Sequence, residues 1–217
     1  MTRMESYKRI MVIGAHPDDC ELKAGGTALK WVDHGHTVKF VSATNGDTGH
    51  HTMGGGQLAK VRRSEMRNSA EIGGLEYEVL DIHNNEIEPS VLYRRMFIEC
   101  IRKFHPDLII THRPNDYHPD HRYTSILVQD SIFGLAIPNV CPLVPHLEKM
   151  PVVMYMYDSF TKPTAFSPDM VVGIDDVMDR KVQMLNCYKS QVYEWLPKMK
   201  QSELHGCMSC KENGIQS

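Results

Sequence analysis

Five short apolar runs without polar alternation constrain this chain most: RIMVIGA (9–15), TVKFVSA (37–43), YEVLDI (77–82), DLIITH (107–112) and PVVMYMY (151–157). Each is rich in β-branched and apolar residues, so each reads as a strand buried on both faces. Between them lie segments with helical spacing: 21–34 ending at Gly35, 57–72 ending at Gly73-Gly74, 89–104 opening with Pro89, 119–135, and 175–190 opening with Asp175-Asp176. Alternating strands and helices predict an α/β fold, with a mostly parallel sheet covered on both faces through right-handed crossovers. No repeat, low-complexity block or long linker divides the 217 residues. A single domain spanning 1–217 is expected, with a tail from about residue 200 that is mobile or interface-forming.

Charge narrows the partners. A formal net charge of −3 and a pI near 6.4, with no basic stripe, argue against nucleic acid and anionic membranes. No apolar stretch approaches the roughly 18 residues of a membrane span, and no secretory leader is evident, so a cytoplasmic protein with a small-molecule partner is expected. Six scattered cysteines lack a disulfide framework and are expected to be reduced. A homo-oligomer is left open.

In parallel sheets of this kind, ligands bind at the carboxyl ends of the strands. Three polar clusters sit there: HPDD after the first strand, TNGDTGHHTMGGG (44–56) after the second, and HRPNDYHPDH (112–121) after the fourth. His16 and Asp19, three residues apart at a strand-to-helix turn, together with His121, 102 positions beyond Asp19, offer three N/O ligands and leave a position open for water. That is the pattern of a catalytic zinc, although Fe(II) uses the same ligand types. Asp18 is the candidate general base on a metal-bound water, His118 the proton donor or oxyanion stabiliser, and Asp120 an orienter of an imidazole. The plain alternatives are that Asp18 or Asp19 merely caps the following helix, and that HPDH is a Pro-Asp turn with solvent-facing histidines.

AHPDDCELKAGGT together with PNDYHPDHR resembles the LmbE-like or PIG-L superfamily of zinc-dependent N-deacetylases, over an order of elements running from about residue 9 to 190. The resemblance implies a Rossmann-like three-layer α/β/α fold and removal of acetyl groups from N-acetylglucosamine-type amides. By it, His16, Asp19 and His121 match the zinc ligands, Asp18 the general base and His118 the acid or oxyanion-stabilising histidine. Glu21 matches an acidic group supporting the motif or starting the helix, and Gly25-Gly26 a small pair that lets this helix approach the sheet. Arg62 matches an arginine that touches the sugar in some members; the alternative is a surface arginine paired with Glu65 or Glu71.

The sequence departs from that pattern where some members carry a tyrosine two positions before the first histidine of HPDH. That position is Asp116, with Tyr117 adjacent, and both are candidate substrate contacts. Asn45 and Asp47 resemble a loop bordering the substrate pocket, whereas GHHTMGGG is expected to be a mobile flap, since three glycines carry a large ordering entropy. The Pro-rich apolar stretch 138–151 is expected to cross the site, enter a subunit contact or join the core. His205, Cys207 and Cys210 lack the second half of a zinc motif.

Overall fold

A computed structural model of the chain describes residues 8–199. Five parallel strands, β1 (Arg9–Gly14), β2 (Thr37–Thr44), β3 (Glu76–Ile82), β4 (Leu108–Thr111) and β5 (Val152–Tyr155), form one sheet in the order β3-β2-β1-β4-β5. The chain therefore winds outward from β1 in both directions, and the switch point falls between β1 and β4.

β1 shows why its run lacks polar alternation. Met11 and Ile13 face a core shared with Phe97, Ile98 and Ile101 of α3 (Val91–Phe104) and Leu127 and Val128 of α4 (Pro119–Leu135). Ile10 and Val12 face the other core, built with Ala24, Ala28 and Leu29 of α1 (Asp19–Asp33) and Met184 of α5 (Met178–Asn186). Period-two alternation thus sends apolar side chains into both layers. The long α2 (Gly55–Gly73) packs beside α5 and ends on Gly74 in the left-handed conformation, φ 65°.

The limits of the first three helices move by at most two residues from the expected ones, and α4 keeps its expected limits. α3 begins after Ser90, whose hydroxyl accepts the Tyr93 N–H at 3.3 Å, so the serine and not Pro89 sets its start. The expected helix over 175–190 is divided into a 3₁₀ turn (Asp175–Val177), α5, and a π-helical turn (Ser190–Trp195) that runs into the short α6 (Leu196–Met199).

Two expectations are corrected, and of the alternatives left open for 138–151 joining the core is the one seen. The close approach at the Gly25-Gly26 pair is not to the sheet: a Cβ on Gly26 would lie 2.7 Å from Ile174, in the segment before α5. The stretch 138–151 does not cover the sheet's carboxyl edge. Leu147 is buried in the α3–α4 core, and the buried Arg102 of α3 donates to the carbonyls of Gly134, Leu135, Ile137, Val140, Cys141 and Val144. The loop before α2 is not an untethered flap. His50 is buried, its Nδ1 accepts the Thr52 and Met53 N–H groups, and its Nε2 meets Glu194 Oε2 at 2.8 Å, while Gly55 and Gly56 already belong to α2.

Cys20, Cys100, Cys141 and Cys187 are free, and no helix among the described residues is long and apolar enough to cross a membrane. His205, Cys207, Cys210 and the expected tail lie outside the described residues.

Candidate metal centre

β1 stops at Gly14, where a Cβ would lie 2.7 Å from the Asp19 Cβ, so the absence of a side chain lets α1 start directly against the strand end. The turn between them is tied from within: Asp19 Oδ2 accepts the N–H groups of Ala15 at 3.0 Å and His16 at 2.8 Å. Asp18 occupies the N-cap position of α1 with φ 123°, and its carboxylate makes no capping bond. The capping alternative therefore fails for Asp18. Its carboxylate meets Arg62 Nη2 at 3.3 Å, and the same guanidinium nitrogen donates to the Pro17 carbonyl. Strained backbone at a buried carboxylate is the kind retained at functional sites.

α4 brings the second cluster to the same edge. His118 is its N-cap, accepting the Asp120 N–H on Nδ1 at 3.2 Å, with Pro119 at the first helical position. His121 Nε2 lies 3.2 Å from His16 Nδ1, and Asp19 Oδ2 lies 3.4 Å from each of those nitrogens. Metal–ligand bonds of about 2.0–2.1 Å at tetrahedral angles place ligand atoms about 3.3 Å apart, so this triangle has the edges of a zinc-type donor set. The outer ring nitrogens support it: His16 Nε2 meets Asp120 Oδ2 at 3.1 Å and His121 Nδ1 meets Asp116 Oδ2 at 3.0 Å. A carboxylate behind each imidazole fixes the proton on the outer nitrogen and turns the inner lone pair toward the triangle. Two lone pairs facing each other at this range repel unless a metal ion or a proton lies between them, and the donor types and spacing of the residues present fit a divalent metal.

The electrostatics agree. Burial alone would raise Asp19, but the surrounding histidines hold its carboxyl well below the usual range. Burial pushes Asp18 up to about 6 against the opposing pull of Arg62. For His16, burial is outweighed by the hydrogen bonds and charges of Asp120, Asp19 and Asp18, which hold it up to about 9. His118 is pushed down to about 4 by burial and by the neighbouring His16 and His121, so it is neutral near pH 7. With Nδ1 accepting a backbone N–H, its proton sits on Nε2.

A cavity of about 490 Å³ opens over this cluster, lined on one side by His16, Asp18, Asp19, Arg62, His118 and His121. Arg62 is buried, not a surface residue, and its Nε and Nη1 have no hydrogen-bond partner among the described residues. The other expected substrate contacts do not line the cavity. Asn45 donates to Asp81 and accepts the Asp47 N–H, Asp47 binds His83 and the Asn84 N–H, and Asp116 is engaged by His121 and the His118 N–H. Tyr117 is 60% exposed and stacks on Phe160 at 4.2 Å. Glu21 is fully buried one turn into α1, accepting from Ser69 and Tyr188 and touching none of the three ligands.

The structure adds residues that the motifs did not single out. His112 at the end of β4 stacks on His121 with centroids 4.1 Å apart, and its Nε2 accepts the Ala15 N–H at 3.0 Å. The same Nε2 lies 3.3 Å from Asp19 Oδ2, so His112 stands within the donor cluster, beside the triangle. Asn84 and Asn85 after β3 line the cavity, and the Asn85 N–H donates to Asp120 at 2.8 Å; the paired asparagines at a strand end were the available signal. Gln191 and Trp195 of the π-turn also line the cavity, and nothing in the sequence pattern distinguishes them from an ordinary helix.

Known proteins are similar to this chain in sequence and fold. Diacetylchitobiose deacetylase of Thermococcus kodakarensis is 30% identical over 199 residues, covering 86% of this chain and 71% of that protein. A probable N-acetyl-alpha-D-glucosaminyl L-malate deacetylase 2 of Bacillus cereus is 27% identical, covering 85% of this chain and 84% of its own. The structure of N,N'-diacetylchitobiose deacetylase from Pyrococcus horikoshii superposes with a TM-score of 0.78 at 27% identity, covering 89% of this chain and 74% of that one. Residues 11–132, which carry both halves of the ligand triangle, match the family described as PIG-L, GlcNAc-PI de-N-acetylase, and the chain belongs to that family.

Proposed function

We propose that this chain is a metal-dependent hydrolase that removes the N-acetyl group from an N-acetylglucosamine-type amino sugar or its conjugate, with His16, Asp19 and His121 holding a divalent cation, zinc before iron. The observation that carries the reading is the triangle of His16 Nδ1, Asp19 Oδ2 and His121 Nε2, with Asp120 and Asp116 behind the two imidazoles. The deacetylase relatives support the substrate class. A cation bound there supplies Lewis acidity, lowering the pKa of a coordinated water and polarising the carbonyl of the substrate.

The remaining work falls to side chains. Asp18, held against Pro17 and Arg62 beside the triangle, takes a proton as water oxygen adds to the acetyl carbon. The neutral His118 presents its Nε2–H to the developing oxyanion, a donor that needs no rearrangement because Asp120 N–H already fixes the other ring nitrogen. When the C–N bond breaks, the proton taken by Asp18 goes to the departing nitrogen, leaving acetate and a free amine. Asp116 and Asp120 act by positioning the two imidazoles.

The test uses protein stripped with chelator and reloaded with Zn²⁺, or with Fe²⁺ under anaerobic conditions. It is incubated with N-acetylglucosamine and its glycosides, and released amine and acetate are both measured. Equal amounts of the two, abolished by chelator, are expected. No release by the fully loaded protein from any of these sugars overturns the reading.

A further inference from the structure

Besides the histidines and carboxylates, the cavity is lined by apolar Leu22, Trp195, Leu196 and Met199 and by the amides of Asn84, Asn85 and Gln191. Gln191 and Trp195 belong to the π-turn, and three separate contacts pin the turn in place. Ser190 N–H and Oγ donate to the two Glu65 oxygens at 2.8 and 2.7 Å. Gln191 Nε2 donates to the Gly49 carbonyl at 2.7 Å, and Glu194 meets the buried His50. Single π-turns of this kind occur often at functional sites, because the i→i+5 winding redirects side chains that an α-helix would send elsewhere. Here Gln191 and Trp195 both reach the cavity.

A hexopyranose has one face of C–H groups and an edge of hydroxyls. A rigid indole in the same cavity as the donor cluster, with amides beside it, offers a partner to both surfaces at little entropic cost. Resting on the reading that the substrate is an N-acetylated amino sugar, we propose that Trp195 is the platform on which the pyranose ring stacks while its acetamide reaches Asp18 and His118. The amide of Gln191 takes a ring hydroxyl. Recognition of the sugar is thus assigned to the C-terminal helical turn, not to Asn45 and Asp47 in the loop after β2.

The chain has two tryptophans, and Trp31 lines a separate cavity of about 690 Å³ between α1 and the β4–β5 side of the sheet. In the zinc-loaded Trp31→Phe protein, Trp195 is the sole indole, and its emission is titrated with N-acetylglucosamine and with glucosamine. A saturable change is expected. In the wild-type background, Trp195→Ala is expected to raise KM about tenfold with kcat within about twofold, and Trp195→Phe to restore most of the loss, since a ring contact made equally in ground and transition states is uniform binding. Amine release with unchanged emission, or with KM unmoved by Trp195→Ala, overturns the platform and leaves the deacetylase standing. Saturable emission without amine release supports the platform and overturns the reaction. Neither signal overturns both.

Discussion

Asp116→Asn and Asp120→Asn remove the same charge from behind the imidazoles proposed to hold the metal, yet the structure predicts unequal losses. Asp120 Oδ2 accepts both His16 Nε2 and the Asn85 N–H, while Oδ1 has no partner among the described residues. An asparagine at 120 can place its amide oxygen where Oδ2 lies and keep both bonds, so only the charge is lost. Asp116 divides its oxygens, Oδ1 accepting the His118 N–H at 2.8 Å and Oδ2 facing His121 Nδ1 at 3.0 Å. An amide at 116 has one acceptor for two donors. Turned one way it opposes the His118 N–H; turned the other it forces the His121 proton onto Nε2, the ligating atom. Carboxylates behind metal-bound histidines are worth about 10- to 100-fold in affinity. Asp120→Asn should therefore weaken zinc by about tenfold, or about 1.4 kcal/mol, and Asp116→Asn by about 100-fold, or about 2.7 kcal/mol. The assay is zinc competition against a chromophoric chelator, with thermal unfolding of the metal-free proteins as the control for folding. Equal affinities for all three proteins, or a larger loss for Asp120→Asn, would refute the reasoning.

Other consequences are as specific. Asp18→Asn should retain zinc, because its carboxylate is not part of the triangle, and lower kcat by about 10²- to 10⁴-fold; full turnover with metal bound would remove Asp18 as the base. Arg102→Lys keeps the charge but offers three donors to six carbonyls, so urea unfolding should report a loss of about 3–5 kcal/mol; a loss below 1 kcal/mol would show that the 134–144 loop is held otherwise. Lys149 holds Asp107 below its ordinary 3.8, a stabilisation present above that value and lost as pH falls through the lowered pKa of the folded protein. Lys149→Ala should thus differ from wild type by less than about 1 kcal/mol at neutral pH, the gap closing below pH 3.8, as urea unfolding across pH would show.

β1 was legible because a strand buried on both faces reads as an unbroken apolar run, and it feeds two cores through alternate residues; the edge strands β3 and β5 are only half-buried, against expectation, and were legible by their β-branched and aromatic content. The clustering of the candidate ligands was legible because a strand-to-helix turn puts His16 and Asp19 on one side, and because HPDH opens α4 at the neighbouring strand end. What surrounds them was not. The partner of His16 is 104 residues away, and Asp116 reaches His121 through an N-cap geometry that no spacing rule encodes. The loop at 48–56 seemed free because its glycines carry a large ordering entropy, but His50 and Gly49 are fastened by Glu194 and Gln191, more than 140 residues on. Arg62 read as a surface helix residue or a sugar contact because its burial depends on Pro17 and Asp18 from another element. The π-turn has no composition signature, and it brings Gln191 and Trp195 to the cavity.

The central claim is the placement of the cation, and anomalous diffraction at the zinc edge from crystals of the zinc-loaded protein tests it most directly. The account predicts one strong peak about 2 Å from each of His16 Nδ1, the Asp19 carboxylate and His121 Nε2, with Asp18 and His118 outside bonding distance. A peak coordinated by His112 or His118 in place of His16, or full-occupancy zinc elsewhere with the triangle empty, would contradict it.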